Sequence, residues 1–318
     1  MASSIPTGGA RRILRRLSLL ACLTAQLLAL APAAAMVLGT DERDSASAFL
    51  TADDESRFEG VGRIECLQPG TRGVSLHATG WIVGTADTVM TAAHTFFKPD
   101  ANGERTIARD PGNCIFILFN RDQSIREIAT VRYAVSPWAE TRFRGDSARD
   151  FAVLKLSRAM KVSSIPSVAI AAGTMKPVVE LVAFQSGVSQ DQRARITQGE
   201  ARRFPALGAD HEIDGSRISN GSRLFSTSAN SSPGSSGGLY YDRSTGAVLG
   251  VHLGGMCDPS ARTPAYDPTR CFNYGLRFDR AMLDTIDSVA RDAASSGQLI
   301  ASDQPALLPA SVVLAMAG

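Results

Sequence analysis

Four histidines occur in the 318 residues, His77, His94, His211 and His252. A serine hydroxyl is a weak nucleophile unless a base lies within hydrogen-bond reach and a carboxylate orients that base. So few histidines make the search for such a set short. His94 stands in VMTAAHTFF (89–97), where apolar and small residues deliver it to a turn. Asp150 stands in SARDFAVLKL (147–156), just before a strongly apolar run. Ser236 is the third residue of GSSGG (234–238). Gly234 allows a tight turn in which the N–H groups of Gly234 and Ser236 can face an oxyanion, and Gly237 and Gly238 allow a substrate chain to approach the backbone. Ser231 and Ser232 precede Pro233 and lack such flanking glycines. Singly, each residue has an ordinary reading as a strand-end histidine, a strand-start aspartate or a Ser/Gly turn. Together, the order His–Asp–Ser with spacings 150 − 94 = 56 and 236 − 150 = 86 points to nucleophilic acyl transfer.

The elements that must position these residues are short and β-like. Runs rich in Val, Ile and aromatics fall at 60–67, 73–84, 114–119, 126–135 and 151–156, then at 178–184, 223–228, 238–241, 247–253 and 272–278. Gly, Pro, Asn and Asp cluster between them. Many short strands at this spacing predict an all-β barrel or sandwich. Two sets of about six strands divide near 157–177, the expected interdomain connection. One helix is predicted near the end, capped by Asp279, with Met282, Ile286, Val289 and Ala293 on one face. GSSGG also satisfies the G-x-S-x-G elbow of α/β-hydrolases. That fold requires the serine to precede its acid and base, and alternating strands and helices; only His252 follows Ser236, 16 residues on.

TAAHT, DFAVLKL and GSSGG resemble the three active-site motifs of the chymotrypsin-like (trypsin-like) serine endopeptidases, and the resemblance runs from about Val37 to Phe278. It implies two perpendicular six-stranded antiparallel β-barrels with a C-terminal helix and an active site in the cleft. The organisation expected is a signal peptide at 1–35, a first barrel at 36–160 with His94 and Asp150, a second at 161–278 with Ser236, the helix at 279–296 and a disordered tail at 297–318. Ser235 stands where digestive relatives carry an aspartate that pairs with a newly cut N-terminus; serine cannot form that ion pair, so no such switch is expected. Leu253 stands where many relatives place a serine that holds the catalytic aspartate, which implies a less polar setting for Asp150.

The resemblance also places a specificity pocket. Asn230 lies six residues before Ser236, where trypsin carries an aspartate that selects Lys and Arg, and a neutral amide offers no such charge. The strand VLGVHLGG (248–255) puts His252, Gly254 and Gly255 along the pocket and is similar to the G-I-H-x-G-G strand of the glutamyl endopeptidase (V8-like) branch, in which that histidine binds the substrate carboxylate. Ser231 matches a pocket hydroxyl of that branch. VLGTDER (37–43) is similar to the start of several mature members, whose free α-amino group helps bind the acidic side chain. An imidazole suits the task because it donates a hydrogen bond and gains charge when a carboxylate raises its pKa. These features imply an endopeptidase that cuts after Glu or Asp. The alternative is a catalytically silent homologue that binds partners, which loss of a triad residue would favour; none is lost.

Four arginines (Arg11, Arg12, Arg15, Arg16), an apolar stretch at 17–30 and Ala33–Ala35 form the pattern of a secretory signal peptide. Its removal takes the formal charge from 33 − 31 = +2 to 29 − 31 = −2, with no basic stripe for nucleic acid. Cys22 leaves with it. The remaining Cys66, Cys114, Cys257 and Cys271 read as two disulfides in a secreted or periplasmic protein. Of three possible connectivities, Cys66–Cys114 with Cys257–Cys271 keeps each bridge within one half of the chain. No metal site or nucleotide loop appears and no cofactor is required. The partners expected are polypeptide substrates, without nucleic acid, without membrane once the leader is gone, and with the protein a monomer. His77 reads as a surface strand residue, His211 as a loop residue, and RGDS (144–147) as a local turn.

Overall fold

The computed structural model describes residues 36–293 apart from 46–47, 68–73, 100–104, 108, 141–144, 171–176, 187–192, 208–211, 214–215 and 258–264. The leader, the tail beyond 293 and His211 thus lie outside the described residues. A short helix α1 (Ala52–Arg57) precedes the first strand. Thr51 caps it, its hydroxyl accepting from the Asp54 N–H while the Asp54 carboxylate reaches back to the Thr51 N–H. The chain then forms β1 (Val61–Leu67), β2 (Val74–Val83), β3 (Thr85–Thr91), a small hairpin of β4 (Phe97–Pro99) and β5 (Arg105–Ile107), β6 (Cys114–Phe119), β7 (Ile125–Val135) and β8 (Ala152–Leu156). Six of these close a barrel in the order β1-β2-β3-β8-β7-β6, every pairing antiparallel. Neighbouring residues on a strand face opposite ways. In β6, Phe116 and Leu118 therefore join the barrel core with Ile64, Ile82, Val89 and Leu154, while Ile115 and Ile117 pack outside it with Leu67 and Ile128.

The connection at 157–177 holds a two-residue strand, β9 (Ser167–Val168). Then come β10 (Val178–Ala183), β11 (Arg195–Arg203), a minor pair of β12 (Glu212–Ile213) and β13 (Ser216–Arg217), β14 (Leu224–Thr227), β15 (Leu239–Asp242), β16 (Ala247–Cys257) and β17 (Cys271–Arg277). The order β15-β10-β11-β14-β17-β16 is closed into a second six-stranded antiparallel barrel by the β15–β16 pairing, and β9 adds in parallel to the outer edge of β16. A third apolar cluster joins the barrels and includes Trp81, Phe151, Phe184, Leu239, Val251, Leu253 and Phe272. Catalytic-type residues gathered from both halves can share a site because this contact fixes one barrel against the other.

Helix α2 (Arg280–Ala290) closes the chain. The Asp279 carboxylate accepts from the Met282 N–H at 2.9 Å. Met282, Ile286 and Val289 are buried, each worth about 1.5–3 kcal/mol when fully removed from water. The helix is shorter than the 279–296 read from the sequence. Lys155 Nζ bonds the Ala290 carbonyl at 3.2 Å, a cation at the negative helix end. Asp292 then takes φ +55° and pairs with Arg132 and Tyr133, which turns the chain away and leaves Ala293 exposed. Both disulfides have the connectivity expected, Cys66–Cys114 and Cys257–Cys271, and each joins directly opposed residues of neighbouring strands.

Candidate active site

His94 lies in a single 3-10 turn (Ala93–Thr95) at the end of β3, and Asp150 ends another (Ser147–Arg149) at the start of β8. β3 and β8 are paired neighbours with Thr91 opposite Ala152, so both turns emerge at one end of the barrel. Asp150 engages His94 twice. Its Oδ1 accepts the His94 backbone N–H at 2.9 Å, and its Oδ2 lies 2.8 Å from His94 Nδ1. An ionised carboxylate only accepts, so the ring proton resides on Nδ1 and Nε2 is left as the basic nitrogen. The Asp150 side chain is 5% exposed and that of His94 29%. Leu253 is buried in the inter-barrel core, and His94 itself supplies the partners of both Asp150 oxygens.

Ser236, half-buried, sits in the turn between β14 and β15. Gly234 (φ +99°) and Gly237 (φ +85°) take left-handed conformations that a side chain would disfavour. The turn is pressed against the His94-bearing end of the first barrel. A Cβ on Gly237 would lie 2.2 Å from the Thr79 carbonyl and Thr91 Oγ1 and 3.1 Å from Ala92 N. The Ser236 carbonyl accepts from the Thr79 N–H at 2.9 Å. Among the described residues, the Gly234 and Ser236 N–H groups donate to no backbone carbonyl. Ser235 is buried, and both its N–H and its hydroxyl bond the Ser232 carbonyl, at 3.0 and 2.7 Å.

His252 lies beside this turn. Its carbonyl accepts from the Gly237 N–H at 2.8 Å and its own N–H donates to the Gly238 carbonyl at 2.7 Å. The ring is fully buried, and burial, reinforced by the field of His94, pushes its pKa down to about 3. Tyr240 Oη lies 2.7 Å from His252 Nδ1. Burial holds the phenol far above its usual range, so it stays protonated and donates to Nδ1. The imidazole proton then sits on Nε2, which has no hydrogen-bond partner among the described residues; the same holds for the buried Ser231 Oγ.

Asn230, expected among the substrate-binding residues, has its side-chain amide engaged by the amino-terminal segment. Its Oδ1 accepts from the Leu38 N–H at 2.8 Å and its Nδ2 donates to the Thr40 carbonyl at 2.7 Å. The amide therefore anchors the amino-terminal segment. Asn273, not singled out from the sequence, does the same two residues earlier. Its Oδ1 accepts from the Met36 N–H at 3.0 Å, and its Nδ2 donates to the Met36 carbonyl at 2.7 Å, which also accepts the Ser231 N–H at 3.0 Å. A Cβ on Gly255 would meet Asn273 Oδ1 at 2.5 Å and the Met36 side chain at 2.9 Å, whereas at Gly254 the nearest atom, on the Tyr274 ring, lies at 3.8 Å.

A family model described as a trypsin-like peptidase domain matches residues 78–251, more than half of the chain. A solved glutamyl endopeptidase is similar in fold over 80% of this chain and 99% of its own, with a TM-score of 0.56 at 14% identity. The protease Anisep from Arthrobacter nicotinovorans covers 74% of this chain and 98% of its own, with TM-score 0.50 and 18% identity. The thermostable serine protease AL20 from an extremophilic microorganism covers the same shares with TM-score 0.51 and 18% identity. A sequence search of curated proteins found no match.

Proposed function

The chain belongs to the trypsin-like peptidase domain family and is a serine endopeptidase, and from that premise we propose that His94, Asp150 and Ser236 are its catalytic triad. Ser236 Oγ attacks the scissile carbonyl while His94 Nε2 takes its proton. Asp150 keeps the Nδ1 tautomer and stabilises the imidazolium. The oxyanion is received by the N–H groups of Gly234 and Ser236, each worth about 2.7–4 kcal/mol. His94 then returns the proton to the leaving amine, and water repeats the sequence on the acyl-enzyme. The observation that carries this reading is the double engagement of His94 by Asp150, 2.9 and 2.8 Å, beside the turn bearing Ser236. Ser236→Ala, secreted and folded, should lose peptidase activity by about 10⁶-fold, the scale seen when a triad serine is removed; near wild-type activity would end the proposal.

We further read the pocket beside Ser236 as one for an acidic side chain at P1. Two buried polar atoms without partners among the described residues, His252 Nε2 and Ser231 Oγ, are costly until a substrate oxygen accepts from them. An arriving carboxylate raises the His252 pKa from about 3 and strengthens its own binding. The Met36 carbonyl now occupies two further donors, Ser231 N–H and Asn273 Nδ2. Trimming that leaves Val37 first would free both and add an α-ammonium. Such trimming agrees with export through the 1–35 leader and with two disulfides. A library of peptide amides varied only at P1 tests the pocket. Glu should be cut fastest and His252→Ala should cost acidic substrates most; fastest cleavage after Lys, Arg or Phe would contradict it.

A further inference from the structure

The turn that carries Ser236 is pinned largely from outside itself. The Pro233 carbonyl accepts from the Ser186 N–H at 2.8 Å, the Gly234 carbonyl from Thr79 Oγ1 at 2.8 Å, and the Ser236 carbonyl from the Thr79 N–H at 2.9 Å. Two of these three bonds come from one residue, on β2 of the other barrel. Thr79 is fully buried and spends every polar group it has. Its carbonyl accepts from Thr91 Oγ1 at 2.8 Å, and its hydroxyl, donating to Gly234, also accepts the Phe184 N–H at 2.9 Å.

The geometry of the peptide unit says what these bonds control. The C=O and N–H of one planar trans peptide point opposite ways. Holding the Pro233 carbonyl thus aims the Gly234 N–H, and the Gly238 N–H bond to the Ser235 carbonyl (2.9 Å) aims the Ser236 N–H. Between these two donor-bearing peptides lies the Gly234–Ser235 peptide. Gly234, without a Cβ and at φ +99°, offers little resistance to its rotation. The Thr79 hydroxyl on its carbonyl supplies that resistance, together with the Ser235 N–H bond to the Ser232 carbonyl (3.0 Å) on its other side. Ser235 brings no charge to the turn, and its own hydroxyl is turned onto the Ser232 carbonyl.

We propose that Thr79 is the positioning residue of the oxyanion site: its hydroxyl couples β2 to the Gly234–Ser236 turn and keeps the Gly234 and Ser236 N–H groups converged on the reacting carbonyl. The inference rests on the assignment of Ser236 as nucleophile. Its effect is on transition-state binding, because those donors meet negative charge only as the tetrahedral intermediate forms.

The test uses the secreted enzyme with Thr79→Val, which keeps the shape and removes both hydroxyl bonds, and Thr79→Ser, which keeps the hydroxyl. Thr79→Val should lower kcat on a peptide amide by about 10- to 100-fold, the scale of a small misplacement or a weakened oxyanion donor, with KM nearly unchanged. Affinity for a peptide boronic acid, a mimic of the tetrahedral state, should fall by the same factor as kcat/KM, while affinity for a cleaved product peptide holds. Thr79→Ser should recover most of the loss. A folded Thr79→Val with wild-type kcat overturns the proposal, as does a folded Thr79→Ser no better than Val. If Val is not secreted folded, Thr79→Ala is read in its place: reduced kcat that Ser restores supports the proposal, and wild-type kcat overturns it. Wild-type enzyme that takes no fluorophosphonate on Ser236 removes the nucleophile assignment instead; labelled wild type with an unaltered Thr79→Val removes only the role of Thr79.

Discussion

Gly237→Ala should injure both stability and turnover, by amounts that the geometry separates. At φ +85° an L-residue costs about 1–2 kcal/mol. The new methyl would also stand 2.2 Å from the Thr79 carbonyl and from Thr91 Oγ1, with Ala92 N at 3.1 Å. Two of these three atoms are backbone, so the turn must move outward, and overpacking of this kind costs about 1–3 kcal/mol. The sum, about 2–5 kcal/mol, corresponds to a fall in Tm of roughly 4–20 °C for a domain of this size. Because the displaced turn carries Ser236 and its immovable neighbours lie on the strands leading to His94, an ångström of motion should cut kcat on the order of 10²-fold. Gly246→Ala is the matched control. It has φ +72°, but the nearest atom to its Cβ is Tyr241 Oη at an ordinary 3.6 Å, so only the dihedral cost of about 1–2 kcal/mol applies and kcat should hold. Differential scanning calorimetry with kcat on a peptide amide reads both quantities. If the two variants matched in Tm and kcat, the claim that the nucleophile turn is wedged against the first barrel would be wrong.

His252 makes stability depend on pH. Its folded pKa of about 3 lies below the unfolded value of about 6.5, so between them the unfolded chain binds a proton that the native state refuses. Stability should therefore fall as pH drops through that window, by up to about 1.4 kcal/mol per pH unit, and His252→Gln should flatten the urea-unfolding profile between pH 6.5 and 4.5; an unchanged profile would refute the burial argument. Asp150→Asn can present its amide nitrogen to His94 Nδ1, which forces the ring proton onto Nε2 and removes the base. Its kcat at neutral pH should fall about 10⁴-fold with KM little changed, and a loss under tenfold would refute the assigned tautomer.

The proposed site was legible in the sequence where its chemistry is carried by short local motifs. TAAHT, the aspartate before an apolar strand, and GSSGG each needed only a few consecutive residues. The apolar runs pointed to an all-β barrel or sandwich in two sets of strands, the family resemblance supplied the two-barrel plan, and the strands that escaped are those without an apolar run. Only the first half of β3, Thr85-Ala-Asp-Thr, escaped, polar because its first three residues are only partly buried; its end at 89–91 was read as part of the run that delivers His94. β11 reads RITQGEARR, since Gln198, Glu200, Arg202 and Arg203 face solvent while the buried guanidinium of Arg195 lies 4.1 Å over the Phe49 ring. Roles that depend on distant partners left no local trace. Nothing near Asn230 in the sequence signals that its amide holds Leu38, 192 positions away. Thr79 reads as an ordinary strand threonine, and its partners Phe184 and Gly234 lie 105 and 155 positions along the chain. The Thr51–Asp54 capping box, by contrast, was a local signal for α1 open to recognition in the sequence.

Treating the folded enzyme with a fluorophosphonate and mapping the adduct by peptide mass spectrometry tests the central assignment most directly. A single adduct on Ser236, abolished by His94→Ala, is the predicted result. An adduct on another serine, or none on fully folded and correctly trimmed protein, would contradict it.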